Sequence, residues 1–158
     1  MKVEASGLIE RPVESVFRFC AREHVRNHPQ WDPDLDLQQQ SGDPIGIGTI
    51  IRRRNAHGGT PVEGTMEVTE FEPDRAFGVV IREGARESHG RMTFDAEGPR
   101  RARVTLSAEI PGMDEAMVAV LKPLMERSVS NIKRLIESAS EVGSLEAEQP
   151  RVSRAERG

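Results

Sequence analysis

Apolar positions change their spacing several times along the chain, and each change marks an element boundary. Val3 to Glu10 reads as a strand that stops at Arg11-Pro12, because proline cannot donate to a sheet yet suits the first turn of a helix. Val13, Val16, Phe17 and Cys20 then fall on one helical face, while Glu14, Arg18 and Arg22 point elsewhere, so a short amphipathic helix follows. From His24 to Pro33 two prolines, Pro29 and Pro33, restrict the chain to a turn or a short second helix.

From Leu35 to Ile110 the period shortens to two. Turn residues punctuate the segment at Gly42-Asp43-Pro44, Gly58-Gly59, Pro73-Asp74, Glu83-Gly84 and Gly98-Pro99. The strands expected between them are Leu35 to Gln40, Thr49 to Ala56, Val62 to Phe71, Ala76 to Glu83, Glu87 to Ala96 and Arg101 to Ile110. With no helix between them, they form an antiparallel meander. Alternation is clearest where Ala102, Val104, Leu106, Ala108 and Ile110 oppose Arg103, Thr105, Ser107 and Glu109. One face therefore meets a core and the other meets water.

Beyond Pro111-Gly112 the period becomes helical. Met117, Val120, Leu121, Leu124, Ser128, Ile132, Leu135 and Ala139 share a stripe on a helix expected over Met113 to Glu141. Pro123 removes the bond to the Ala119 carbonyl and should kink this helix or divide it into two collinear pieces. Gly143 should end it. Residues 1–142 then make one domain, and residues 143–158, lacking apolar periodicity, form a disordered tail whose deletion should leave the melting temperature unchanged.

A strand, two short helices, six more strands and a long terminal helix make an α+β domain. A seven-stranded curved antiparallel sheet wraps the last helix, because that helix must lay its stripe on an apolar sheet face. The order resembles the helix-grip fold of the START-like superfamily, which includes the polyketide cyclase/dehydrase and lipid-transport (SRPBCC-like) family and plant pathogenesis-related allergens. The resemblance covers about residues 2 to 141. It is carried by Ile9-Glu10-Arg11-Pro12-Val13-Glu14-Ser15-Val16-Phe17, His28-Pro29-Gln30-Trp31-Asp32-Pro33, Gly46-Ile47-Gly48-Thr49, Val68-Thr69-Glu70-Phe71-Glu72-Pro73 and Gly90-Arg91-Met92-Thr93-Phe94. These are turn and packing motifs, and the superfamily has no common catalytic signature to carry over. The resemblance implies a cavity between sheet and long helix that holds a hydrophobic or amphipathic small molecule. Met66, Met92, Met113, Met117 and Met125 offer adaptable apolar walls for it, although methionine at such spacing also serves as plain core. The ligand-binding set expected is Trp31, Met66, Ser88, Met92, Phe94, Leu121 and Met125.

Composition narrows the function classes. Of 158 residues 26 are acidic and 22 basic, a net charge of −4 that argues against nucleic acid as a partner. No apolar run is long enough to span a bilayer, and the N-terminus carries no secretory pattern, so we expect a cytoplasmic protein without membrane insertion. The single cysteine, Cys20, excludes an intrachain disulfide and lies on the buried face of the first helix as an inert thiol.

Catalytic candidates are few. His24 and His28 have helical metal-pair spacing, but no glutamate follows in the zincin arrangement and Pro29 interrupts the helix, so neither a metal nor a cofactor is expected. His57, beside Gly58-Gly59, reads as a solvated loop residue. By alternation His89, Arg91 and Thr93 face outward while Gly90, Met92 and Phe94 face inward. The chain has no tyrosine, leaving Asp32, Glu63, Glu87, His89 and the arginines as acid–base candidates; each is more simply a surface charge, and Asp32 a turn organiser. Arg52-Arg53-Arg54 sends at least one arginine to the face opposite the other two. It reads as a charged edge strand, with a carboxylate-binding arginine inside the cavity as the sharper alternative. Gly46-x-Gly48 precedes a strand and lacks the third glycine of a phosphate loop. The function expected is a carrier or sensor of a small hydrophobic molecule. The alternatives are a cyclase or dehydratase acting on a polyketide-like or aromatic substrate, and a protein-interaction module.

Overall fold

A computed structural model of the chain describes residues 1–41 and 44–148, with side chains to Ser138. The elements are β1 (Lys2–Ile9), α1 (Val13–Phe17) continued by a π-helical turn (Arg18–Arg22), α2 (His24–Trp31), β2 (Leu35–Gln39), β3 (Ile50–Asn55), β4 (Val62–Glu72), β5 (Ala76–Glu83), β6 (Arg86–Ala96), β7 (Ala102–Glu109) and α3 (Glu115–Glu148). The strands form one antiparallel sheet in the order β1-β7-β6-β5-β4-β3-β2, a meander closed by β1 pairing back on β7. This is the α+β architecture that the alternation and the single long helix imply.

The short helices expected after β1 are present, and three local features refine the sequence reading. Pro29 sits inside α2 without ending it, in a helix so short that only one backbone bond is at stake. Thr69 forms a bulge in β4, since Val68 pairs with Val79 and Glu70 with Gly78. The extra residue bends the strand and adds to the curvature of the sheet. Helix α3 is continuous across Pro123, and it runs through Gly143 to Glu148, beyond the end that glycine was expected to impose. One interior glycine costs about 1 kcal/mol relative to alanine, too little to stop a helix by itself. The remainder of the expected tail, residues 149–158, lies outside the described residues.

The sheet's concave face is plugged at one end only. Phe17 of α1 is fully buried and meets Phe71 and Phe94 edge-on, with ring centroids 5.4 and 5.1 Å apart. Beside it Ile9, Val104 and Ala102 complete the core. Helix α3 buries Val129, Ile132 and Ile136, all in its C-terminal half, whereas no residue from Asp114 to Ser128 is buried. That C-terminal half is fastened to β1 and its exit: Lys133 Nζ donates to the Leu8 carbonyl (2.9 Å) and the Glu10 N–H donates to Glu137 Oε2 (2.9 Å). Asn131 Nδ2 donates to the Trp31 carbonyl at the end of α2. The N-terminal half is left spanning the open end of the sheet.

Gly7 permits this close docking, because a Cβ there would stand 2.6 Å from Val129 Cγ1. Gly7→Ala is therefore expected to destabilise the fold by about 1–3 kcal/mol through overpacking. Val129→Ala in the same chain should recover part of that loss, and urea denaturation of the three variants checks both statements.

Candidate functional site

Cross-strand register sets out the open end row by row. Inward positions on β5 follow the alternation Phe77, Val79, Ile81, Glu83, so an acidic residue ends an otherwise apolar series. On β3 the inward positions are Ile51 and Arg53, with Arg52 and Arg54 on the other face. Arg53 pairs with Gly64 of β4, and the β4–β5 register sets Gly64 opposite Glu83. The two charged side chains are thus two strands apart with a glycine between them. Arg53 Nε meets Glu83 Oε2 at 2.9 Å across that gap, and each side chain is only 8% exposed. A Cβ on residue 64 would stand 2.7 Å from Glu83 Cγ and would collide with the Arg82 carbonyl oxygen. Asn55 Nδ2 also donates to Glu83 Oε2 (3.3 Å), and Arg86 lies 3.7 Å from Oε1. Because β3 is paired on both sides, the arginine triplet does not mark an edge strand; the edges are β1 and β2.

The outer face repeats the device. Arg91 and Glu70 form a two-pronged pair (2.7 and 2.9 Å) over Gly78, one strand from each. His89 shares this face, with a half-exposed side chain, so the expected outward register holds along β6.

Two histidine arrangements flank the open end. His57, in the β3–β4 hairpin, was expected to be a solvated loop residue; instead Nε2 donates to Asp32 at 2.8 and 3.0 Å. The hydrogen bond to Asp32 raises its pKa above the ordinary imidazole value. Beneath it, His24 Nδ1 lies 2.8 Å from the Cys20 carbonyl, which can only accept, so that nitrogen carries the proton. His24 Nε2 is left as a lone pair, and His28 Nδ1 donates to it at 2.9 Å. Both rings are neutral in this arrangement. Burial lowers the His24 pKa to about 4, and burial together with His24 and Arg53 holds His28 well below the usual value. Trp31 stacks on His28, which is partly buried, and meets the buried His24 edge-on. Asp32, Asp34 and His57 could also converge on a cation, but two of the three are exposed and His57 is already paired.

The open end forms a cleft of about 770 Å³. Its apolar wall includes Ile81 and Ala108 from the sheet, Ile110 just past the end of β7, and Met117 and Leu121 from α3; its polar end is Arg53, Asn55, His57, Glu83 and Ser88. Exposed Val62 and Val120 stand at its rim. Of the expected ligand set, the structure brings Ser88 and Leu121 to this wall. Trp31, Met66, Met92 and Phe94 belong to the close-packed core, and Met125 is partly buried on α3 outside the lining. Cys20 is fully buried with its thiol pKa pushed up by burial, as an inert residue should be. Sequence reasoning missed Glu83, Asn55 and His57, although continuing the β5 alternation two residues past Ile81 would have found the first.

The sequence matches the family model described as polyketide cyclase/dehydrase and lipid transport over residues 1–137. A comparison with curated proteins gave no match. Among solved structures, a START superfamily protein from Mycobacterium smegmatis superposes with TM-score 0.72 at 11% identity, covering 87% of this chain and 98% of that one. Ara h 8.0201 superposes with TM-score 0.67 at 11% identity and covers 87% and 98%. The di-domain ARO/CYC BexL from the BE-7585A biosynthetic pathway gives TM-score 0.64 at 19% identity, covering 87% of this chain and 46% of that protein, about half its length. At these identities the likeness is one of fold.

Proposed function

Since the chain belongs to the polyketide cyclase/dehydrase and lipid transport family, we propose that it binds a small amphipathic molecule in the cleft between the sheet and the N-terminal half of α3, as a carrier or sensor. The observation that carries this reading is the division of one cleft of about 770 Å³ into an apolar wall and a charged end. That volume lies within the range of small-molecule sites, and such sites pair apolar walls with a few placed polar groups. The charges on the outer face are paired with one another, as in Arg91–Glu70 and Arg103–Glu97, which gives an interaction module less support.

Ala108 lies on the cleft wall with room before it. Ala108→Phe is expected to fill that space and weaken binding of a dansyl-labelled fatty acid by about ten-fold or more, equivalent to about 1.4 kcal/mol. Its melting temperature should stay within a few degrees of the parent's. Unchanged affinity in a folded Ala108→Phe protein would remove the cleft as the binding site. Native mass spectrometry of the purified chain supplies the companion observation, a co-purifying mass lost in the same variant.

A cyclase or dehydratase is the second reading, and one observation favours it. His57 lies on the cleft wall with Nε2 engaged by Asp32, which leaves Nδ1 as the lone pair of a general base when the ring is neutral. On that reading His57→Gln abolishes turnover of a polyketide-like substrate while binding persists; on the carrier reading there is no turnover to lose.

A further inference from the structure

The Arg53 guanidinium is nine-tenths buried, yet only its Nε is used. Nε donates to Glu83, and among the described residues no hydrogen bond is made by Nη1 or Nη2, which together carry four N–H donors. Buried donors left without acceptors cost about 1–3 kcal/mol, and more when charged, so such a group is kept where something else supplies the acceptor. Arg53 lies on the cleft wall. Its carboxylate partner is meanwhile occupied: Glu83 Oε2 accepts from Arg53 and Asn55, and Oε1 faces Arg86 at 3.7 Å. The charged side chains on that wall are two arginines against one glutamate, leaving a cationic excess at the polar end.

We propose that the free edge of the Arg53 guanidinium is the anchor for a carboxylate, so that the cleft's ligand is an amphipathic acid: an anionic head at Arg53 and an apolar body along Ile81, Ala108 and Leu121. This rests on the cleft being a binding site and adds the class of its ligand. A planar guanidinium offers two parallel N–H groups to a carboxylate, a geometry that a lysine ammonium lacks. Ser88 stands on the same wall as a further donor to the head. Gly64 fits this arrangement, because a side chain there would displace the Glu83 carboxylate that holds the guanidinium by Nε.

The test compares dansyl-labelled undecanoic acid with its methyl ester at pH 7. The parent protein should bind the acid about ten-fold or more tightly, consistent with a charge-assisted hydrogen-bonded pair. Arg53→Lys should bring the affinities of the two probes to within about two-fold of each other, by weakening the acid more than the ester. Because loss of Arg53 alone strands Glu83, the double variant Arg53→Met/Glu83→Leu provides a second route, with the same expected loss of acid preference. Equal binding of acid and ester by the parent protein overturns the carboxylate anchor but leaves the cleft reading standing. Failure of both probes to bind overturns the cleft reading itself. Acid preference that survives in the double variant places the anion elsewhere and also overturns the anchor. Displacement of the probe by decanoate or by a naphthoate then identifies the body as aliphatic or aromatic, and either result supports the acid class.

Discussion

Glu83→Ala is expected to lower folding stability by about 3–5 kcal/mol, the largest effect of any single substitution at the open end of the sheet. The reason is the Arg53 guanidinium, which would remain buried with its one hydrogen-bond partner among the described residues removed. The same reasoning fixes the sign of the double change. Arg53→Met/Glu83→Leu removes both charges and their desolvation cost together, so it should return stability to within about 1–2 kcal/mol of the parent or exceed it. Urea denaturation at pH 7 of the parent, the single and the double variant checks both values. A Glu83→Ala protein as stable as its parent would mean that water reaches Arg53 freely and that the polar end is not enclosed.

Acid should act through a different group. His24 is neutral in the fold with a pKa lowered to about 4, whereas in the unfolded chain it titrates at its ordinary value of 6.5. Between those values the unfolded state binds the extra proton, so its contribution is fully present above 6.5 and is lost as pH falls towards 4. The loss through His24 alone is about 3 kcal/mol. His28 is shifted in the same direction, by burial and by the neighbouring His24 and Arg53. His57 works oppositely: its raised pKa gives stability that is present below 6.5 and fades as pH rises through the folded value. His24→Gln keeps a donor for the Cys20 carbonyl and an acceptor for His28 but cannot titrate. Its stability should therefore fall less steeply than the parent's between pH 6.5 and 4, and parallel profiles would show that His24 is charged in the fold.

The strands were legible because alternation and turn residues act over a few positions. Leu35, Val62 and Ala76 open their strands where expected, and the outward register of His89 follows from Met92 and Phe94 facing in. Legibility failed where the outcome depends on residues far apart in the chain. Arg53 and Glu83 are thirty positions apart, and only register across β4 brings them together over Gly64. Nothing in the local sequence could choose between an edge arginine and an inward one. Apolar inward residues posed a related problem. Met66, Met92 and Phe94 face the same way as Ile81 and Ala108, but core and cavity wall differ only in which helix lies opposite. Phe17 fills one end of the sheet, and the loosely packed start of α3 spans the other. The Cys20–His24–His28 chain was obscured for its own reason, since Pro29 argued against the helix that aligns the two rings.

Entry of a ligand into the concave cleft is checked by amide chemical-shift mapping with the dansyl-labelled acid at pH 7. The outer face supplies an internal control: a smaller depression of about 280 Å³ there is lined by Thr69, Arg91, Thr105 and Ser107. Saturable shifts are expected at Arg53, Ser88, Ala108 and Leu121, with the outer-face amides still. Shifts centred on Thr69, Arg91 and Ser107, with the cleft amides unmoved, would contradict entry into the cleft.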